Sequence, residues 1–216
     1  MIKDKFKEIV KAGIYPPLKD AGFKKSGNHF IKKLDETQQV VTLQLSQGNS
    51  HEQLRFYFRC GILINGIKPE PRDLKSEVYA DYRFSIDRVT NEFDNDQFDI
   101  TNDTQIAPIA KKIEEVIKSE LIPFFNKHET EKACIDFMTS QDSLQGSFDL
   151  IKYLCVNNQI SHLEEYVIRL TKFLKSIKGQ YSDPNTARKR VDKMISLISE
   201  FEKLTPELKE KIEKSW

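Results

Sequence analysis

The chain has 216 residues, 38% of them hydrophobic and 31% charged, and its formal net charge is +1. This length suits one large domain or slightly more, and the composition is that of a globular protein with a modest core. The near-neutral charge lacks the basic excess that steers proteins to nucleic acid or to anionic membranes, so we expect neither class of partner.

Targeting and redox signals favour the cytoplasm. Charged residues from Lys3 to Glu8 interrupt any signal-peptide core, and no apolar run approaches the length of a membrane span. The cysteines Cys60, Cys134 and Cys155 are far apart and lie within apolar patterns. We therefore predict buried thiols in a reducing compartment, with no disulfide framework.

The first predicted elements are a helix and a strand. Apolar residues at helical spacing predict a helix over residues 2–21, which Pro16 and Pro17 break or kink. Gly22 follows as its C-cap. A first strand is predicted from Asn28 to Leu34.

The clearest alternation lies in residues 38–64, which predict an antiparallel hairpin with a loop from Gln47 to Glu52. Side chains alternate across a strand, so the register must place apolar side chains opposite apolar ones. The predicted pairs are Leu45 with Leu54, Leu43 with Phe56, Val41 with Phe58, Gln44 with Arg55 and Thr42 with Tyr57.

After a loop over residues 65–81, a fourth strand is predicted from Tyr82 to Val89, and Phe93 to Ile100 is a candidate edge strand. One face of the sheet is then polar. It carries Thr42, Gln44, Ser46, Arg55, Tyr57, Arg59, Arg83, Ser85 and Asp87.

From about Asp103 the apolar period changes to that of helices and stays so to the end. The predicted fold class is α+β, with an antiparallel sheet of four to five strands packed on helices and an all-helical C-terminal region. We predict an α+β domain over residues 1–138, a linker over 139–146 and a helical region over 147–216.

Motifs for cofactor or metal chemistry are absent from the sequence. The glycines form no phosphate loop, and no cysteines and histidines stand at zinc-ligand spacing, so we predict no cofactor and no metal. Asp94 and Asp96 suggest a calcium loop, but Phe98 stands where a third ligand belongs and the required glycine is missing. A solvated turn before the helix explains this acidic run better.

The polar sheet face and the hairpin loop are the candidate functional surface. A polar face that is merely solvated is common in antiparallel sheets. A binding surface is the functional interpretation, since Arg and Tyr are enriched at interface hot spots and loops carry function. The candidate binding residues are Gln44, Ser46, His51, Arg55, Tyr57, Arg59 and Arg83.

The chain also resembles a known family. Its segment from Pro17 to Phe30, the strand that ends in Gln44 and Ser46, and the aromatic strand from Arg55 to Gly61 are similar to a bacterial domain of unknown function, number 4304. The matching positions are Gly22, Phe23, Lys24, Lys25, Gly27, Phe30, Gln44, Ser46 and Gly61. The resemblance covers residues of about 5–125 and implies an α+β domain and a bacterial origin, but no activity.

Within this motif, Gln44 and Ser46 either shape a site beside the hairpin loop or hydrogen-bond the loop backbone, and we favour the second role. The function we expect is that of a cytoplasmic, non-catalytic protein-binding module of the immunity or accessory type. One alternative is an enzyme, a hydrolase or nuclease, that uses His29, His51 or the acids near Asp94. The other is an RNA-binding sheet, in which Tyr57 stacks on a base.

Overall fold

A computed structural model describes residues 2–68, 70, 72–93, 96–183 and 185–216 of the chain. It confirms the α+β class, with an antiparallel sheet and a helical C-terminal region. The chain divides into two compact units. The first comprises residues 1–65 and 72–133, and the second comprises residues 66–71 and 134–216. The predicted limits at 138 and 147 stay a prediction.

The first unit contains six strands within its described residues, all paired antiparallel. They are β1 (Lys24–Ser26), β2 (His29–Lys33), β3 (Thr37–Leu45), β4 (Gln53–Ile64), β5 (Tyr82–Ser85) and β6 (Gln97–Thr101). The order is β1-β2-β3-β4-β5, and β6 pairs with the first half of β4, whose second half pairs with β5. The fourth predicted strand is therefore shorter than expected, because Ile86–Arg88 turns into a 3₁₀ helix.

The hairpin of β3 and β4 forms with the predicted faces but in another register. Leu45 lies opposite Phe56 and Leu43 opposite Phe58, so each pair is shifted by two residues from the predicted one. A shift of two keeps every side chain on its face, because the strand period is two. Leu54, the predicted partner of Leu45, pairs with Ile100 of β6 instead.

Two long helices, each interrupted by a π-turn, cover the apolar face of the sheet. They are α1 (Ile2–Ile9), a π-turn (Val10–Ile14) and α2 (Tyr15–Asp20), then α3 (Ile106–Val116), a π-turn (Ile117–Leu121) and α4 (Ile122–Lys127). Prolines stand in the first turn after each π-turn, so the change of helix geometry coincides with the positions that lack an N–H donor. The helices therefore run on past Pro16, Pro17 and Pro123.

The two long helices touch backbone to backbone at Gly13. A Cβ atom placed on Gly13 would lie 2.2 Å from the carbonyl oxygen of Ala110. Around this crossing, Ile9, Ile14 and Ile113 are fully buried. Glycine at this position thus sets the distance between the helices.

Both faces of the sheet are covered at one end, and two adjacent glutamines of β3 show it. Gln39 is fully buried on the helix side, where its amide donates to the carbonyl oxygen of Phe125 at 2.8 Å. Gln38 points the other way. Its amide donates to the carbonyl oxygen of Arg72 at 2.9 Å, and its carbonyl accepts from the N–H of Leu74 at 3.0 Å.

The segment from residue 72 to 81 closes this second face with a small apolar cluster of Val40, Leu63 and Leu74. An ion pair holds the segment in place. Arg72 contacts Asp81 at 2.6 Å, and Asp81 also accepts from the N–H of Ile64 at 2.8 Å. Part of the polar face predicted from the sequence is thus covered, and the face is open near the hairpin loop.

The second unit is helical. Its elements are α5 (Glu131–Ser140, whose first turn belongs to the first unit), α6 (Ser147–Val156), α7 (Ile160–Ile177), α8 (Thr186–Glu200) and α9 (Pro206–Ser215). Residues 139 and 140 of the predicted linker continue α5. The fully or nearly buried side chains include Leu163, Tyr166, Val167, Leu170, Leu174, Val191, Met194 and Ile198, as the apolar stripes predict.

Candidate binding site

The predicted site residues divide between the open part of the polar face and the hairpin loop. On the face, Arg55 forms a two-pronged ion pair with Asp99 of β6, with nitrogen–oxygen distances of 2.7 and 3.3 Å. This contact lowers the pKa of Asp99 and raises the pKa of Arg55. The predicted partner of Arg55 on β3 was Gln44, which is wrong, because Gln44 lies opposite Tyr57.

Arg59 also forms an ion pair with a carboxylate. Its guanidinium lies 2.5 Å from Asp96, and the same group lies over the ring of Tyr57, 5.4 Å from the ring centre. Both β4 arginines of the candidate site therefore contact carboxylates of the chain itself. The local charge of the face is close to balanced, which weakens its attraction for nucleic acid.

Arg83 and Gln44 are exposed and stand on different strands. Arg83 lies on β5 opposite Gly61, at the covered end of β4, whereas Gln44 lies next to the hairpin loop. The structure thus brings Arg55, Tyr57 and Arg59 together and does not bring Arg83 into the same place.

The hairpin loop is shaped by short polar side chains. The hydroxyl of Ser46 accepts from the N–H of Gly48 at 3.2 Å, which is the backbone-capping role we favoured for it. Asn49 bridges back to β4: its side chain accepts from the N–H of Arg55 at 2.7 Å and donates to the carbonyl oxygen of that residue at 3.1 Å. This bridge stabilises the observed register, in which the N–H of Ser46 donates to the carbonyl oxygen of Arg55.

Beside the loop lies an open groove of about 1330 Å³. Its walls come from the first turns of α1, from the β1–β2 turn and from the hairpin loop. The described residues that line it are Ile2, Lys3, Phe6, Lys7, Lys25, Gly27, Asn28, Leu45, Ser46, Gln47, Asn49, Ser50, His51, Leu54 and Asn102. Two predicted site residues, Ser46 and His51, are among them.

The groove has an apolar floor and a basic rim. Ile2, Phe6 and Leu54 form the floor, and Leu45, which is 41% exposed, forms an apolar wall. Lys3, Lys7 and Lys25 are exposed lining residues, and no carboxylate is among the described residues of the lining. Such a site suits a ligand with apolar and acidic groups.

Sequence patterns of single elements do not show this groove. Ile2 and Phe6 read as the ordinary core face of a helix, and Lys25 reads as a loop residue. The available signal was Leu45, an apolar residue at the end of a strand beside a polar loop. Leu45 lies beyond the end of β2, whose pairing with β3 stops at Thr42, and the sequence alone does not give this limit.

The residues of the enzyme alternative are placed separately. His29 contacts the hydroxyl of Thr42 at 3.0 Å on the sheet, whereas the side chain of His51 is 90% exposed in the loop. Asp94 lies outside the described residues, and so does the core of the suggested calcium loop. Among the described residues, no group of three or more His, Cys, Asp or Glu side chains is arranged to hold a metal ion.

Three glycines of the family-like motif stand at positions where the structure favours glycine over other residues. Gly22 and Gly27 adopt φ values of +91° and +60°, which other residues rarely tolerate. Gly61 lies beneath the 72–81 segment, and an added Cβ would lie 2.6 Å from that of Ala80. The motif therefore encodes the strand entry and the cover of the sheet.

Among the described helices, none is both long and apolar enough to cross a membrane. Neither a curated protein nor a solved structure matches the chain. A family model, described as a domain of unknown function (DUF4304), matches residues 14–127, which is more than half of the 216 residues. The chain therefore belongs to the DUF4304 family, as its glycine and lysine motif indicated.

Proposed function

We propose that this protein is a non-catalytic protein-binding module that acts in the bacterial cytoplasm as an immunity-type or accessory protein. It binds its partner mainly through the groove, and the open part of the polar face, on the other side of the sheet, is a secondary contact surface. The observation that carries the proposal is the groove itself, with its apolar floor and its rim of lysines and amides.

The groove supports protein binding for three reasons. Its volume exceeds the roughly 300–1,000 Å³ of sites that enclose small molecules, and it is open to solvent. Its wall residue Leu45 exposes 41% of its surface beside a polar rim, an arrangement typical of interface cores. Polar side chains of the hairpin loop, such as Gln47 and Asn49, line the same groove and supply hydrogen-bonding groups.

Arg55, Tyr57 and Arg59 stand on β4 but face the opposite side of the sheet from Leu54, so they form a second surface near the hairpin loop. Their ion pairs with Asp99 and Asp96 hold the arginines in fixed positions, which reduces the entropy lost on binding. We assign them a supporting role at the edge of the interface. A balanced charge of this kind contributes more to specificity than to affinity.

The proposal is tested by comparing capture of partners by two variants. Leu45→Asp places a charge in the apolar wall of the groove, and Val78→Asp places one at another exposed apolar position, since Val78 is 57% exposed and lies outside the groove. The immobilised full chain is exposed to an extract of the source cells, and retained proteins are quantified by mass spectrometry. We expect wild type and Val78→Asp to retain a shared set of proteins that Leu45→Asp loses.

Circular dichroism spectra establish that both variants are folded. Retention of the same proteins by Leu45→Asp would refute the role of the groove. In a parallel arm, Arg55→Ala with Arg59→Ala removes both cations of the open face. Unchanged capture by this double variant would remove the face, but not the groove, from the interface.

A further inference from the structure

The groove also indicates what part of a partner it receives, an inference that rests on the proposed function. We infer that it binds an extended acidic segment of the partner protein, which adds to the free edge of β3 at Leu45 and places apolar side chains on the groove floor.

The backbone of β3 offers a short free edge. The N–H of Leu43 donates to the carbonyl oxygen of Asn28 at 2.9 Å, and the N–H of Ser46 donates to Arg55 on the opposite side at 3.0 Å. Because these directions alternate along a strand, the N–H of Leu45 points to the same edge as that of Leu43. Among the described residues, no strand continues along this edge, since β2 begins at His29.

The chain leaves this edge because of the β1–β2 turn. Ser26 pairs with His29, so the chain turns away from β3 at Gly27, next to Asn28, whose carbonyl oxygen makes the last contact with Leu43. Gly27 adopts a φ of +60°, and both turn residues line the groove. The turn thus opens a space beside Leu45 in which an extended peptide can pair with the strand.

The floor and the rim define the side chains of such a peptide. In an added strand every second side chain faces the same way. One set would therefore lie on Ile2, Phe6 and Leu54, which calls for Leu, Ile, Val or Phe. The outer members of this same set would lie near the lysines of the rim, which stand on the floor side of the sheet, and this calls for Asp or Glu at the ends of the segment.

The charges of the rim favour an acidic peptide over a basic one. Lys3 and Lys25 stand on α1 and on β1, both exposed. Lys7 lies 3.4 Å from Asp4, a carboxylate of the same helix, so its charge is partly compensated. Lys3 and Lys25 are therefore the residues whose reversal should affect an acidic peptide most.

The test selects peptides without knowledge of the natural partner. A phage library of random twelve-residue peptides is selected on the full chain, after depletion on Leu45→Asp. We expect the enriched sequences to combine an apolar centre of Leu, Ile, Val or Phe with flanking Asp or Glu. Enrichment of neutral or basic sequences, or of none, overturns the inference.

The best peptide is then synthesised with a fluorescent label for anisotropy titrations. Lys3→Glu with Lys25→Glu should weaken its binding at least tenfold, whereas Lys19→Glu, an exposed lysine of α2 outside the groove, should leave it unchanged. Methylation of one central peptide N–H should weaken binding about fivefold to tenfold, because it removes a backbone hydrogen bond. Equal binding of the methylated peptide at every central position refutes the strand pairing.

The failure of this inference is distinct from the failure of the proposed function. Capture of natural partners that depends on Leu45, combined with selected peptides that are not acidic, would leave the groove as the binding site and reject the acidic segment. Capture that does not depend on Leu45 would reject both.

Discussion

Replacement of Gly13 by alanine tests the closest contact in the first unit. The added methyl group would lie 2.2 Å from the carbonyl oxygen and 2.7 Å from the Cα atom of Ala110. Real Cβ atoms essentially never come closer than 3.0 Å to another atom, so the helices must separate by at least 0.8 Å along that line. Main-chain atoms of a helix cannot rotate away as a flexible side chain can.

The magnitude follows from two opposed effects. Overpacking of a core costs about 1–3 kcal/mol, and a clash with backbone belongs at the upper end. Alanine in a helix gains about 1 kcal/mol over glycine. We therefore expect Gly13→Ala to lower the free energy of unfolding by about 2 kcal/mol, or the melting temperature by roughly 8 °C.

Hydrogen exchange measured by mass spectrometry suits this test, because it reports on peptides of the first unit. The chain has one tryptophan, Trp216, which lies in the other unit, so its fluorescence does not follow the change. Gly48→Ala is the matched control, since only the Ser46 hydroxyl lies within 4 Å of the added group, at 3.8 Å. Adding Ala110→Gly should not rescue the variant, because the clash is with main-chain atoms.

A variant Gly13→Ala as stable as the wild type would show that the helices are not in backbone contact and would refute this reasoning.

Two further predictions concern buried polar groups. Asp81→Ala leaves the guanidinium of Arg72 without its carboxylate, so the free energy of unfolding in urea should fall by about 3 kcal/mol. Lys33→Ala removes an exposed ion pair and should lower it by under about 1 kcal/mol. Equal losses in the two variants would contradict the difference in burial. Burial lowers the pKa of His128, so the folded state favours its neutral form, and stability should decline as the pH falls below about 6.5. In urea titrations between about pH 5 and 8, His128→Gln should flatten this decline of stability. His51→Gln, a change at an exposed ring, should leave the decline as it is. An unchanged decline in His128→Gln would exclude His128 as the cause of the pH dependence.

The faces of the hairpin could be predicted from the sequence, but its register could not. Any shift by two residues keeps Leu43 and Phe56 on the apolar face, so alternation cannot distinguish such registers. The observed register depends on the bridge from Asn49 to the backbone of Arg55 and on the pairing of Leu54 with β6. Neither contact leaves a periodic pattern in the sequence.

The 72–81 segment, which covers the second face of the sheet, does have a counterpart in the sequence pattern of β4. The run from Cys60 to Ile64 is apolar at consecutive positions, which is typical of a strand buried on both faces. By contrast, the three residues of β1 are all exposed and show no alternation, so this strand could not be predicted. The partners of Arg55 and Arg59 also could not be predicted, because the sequence does not show which strand β6 pairs with.

The candidate site was predicted only in part, because it depends on contacts between distant elements. Ser46 and His51 were chosen because loops carry function, and both line the groove. The groove depends on contacts between α1, the β1–β2 turn and the hairpin loop, which are distant in the sequence. Patterns within one element cannot show such a meeting.

The amide of Gln38 has a consequence for how the sheet folds. The hairpin of β3 and β4 can close from local contacts, but registers that differ by two residues bury the same apolar side chains. The contacts of Gln38 with Asn65, Arg72 and Leu74 belong to one register alone, and those with Arg72 and Leu74 join residues more than thirty positions apart. Docking of the distant 72–81 segment therefore adds to the local bridge of Asn49 in selecting the correct pairing, so that a locally connected hairpin depends in part on non-local contacts.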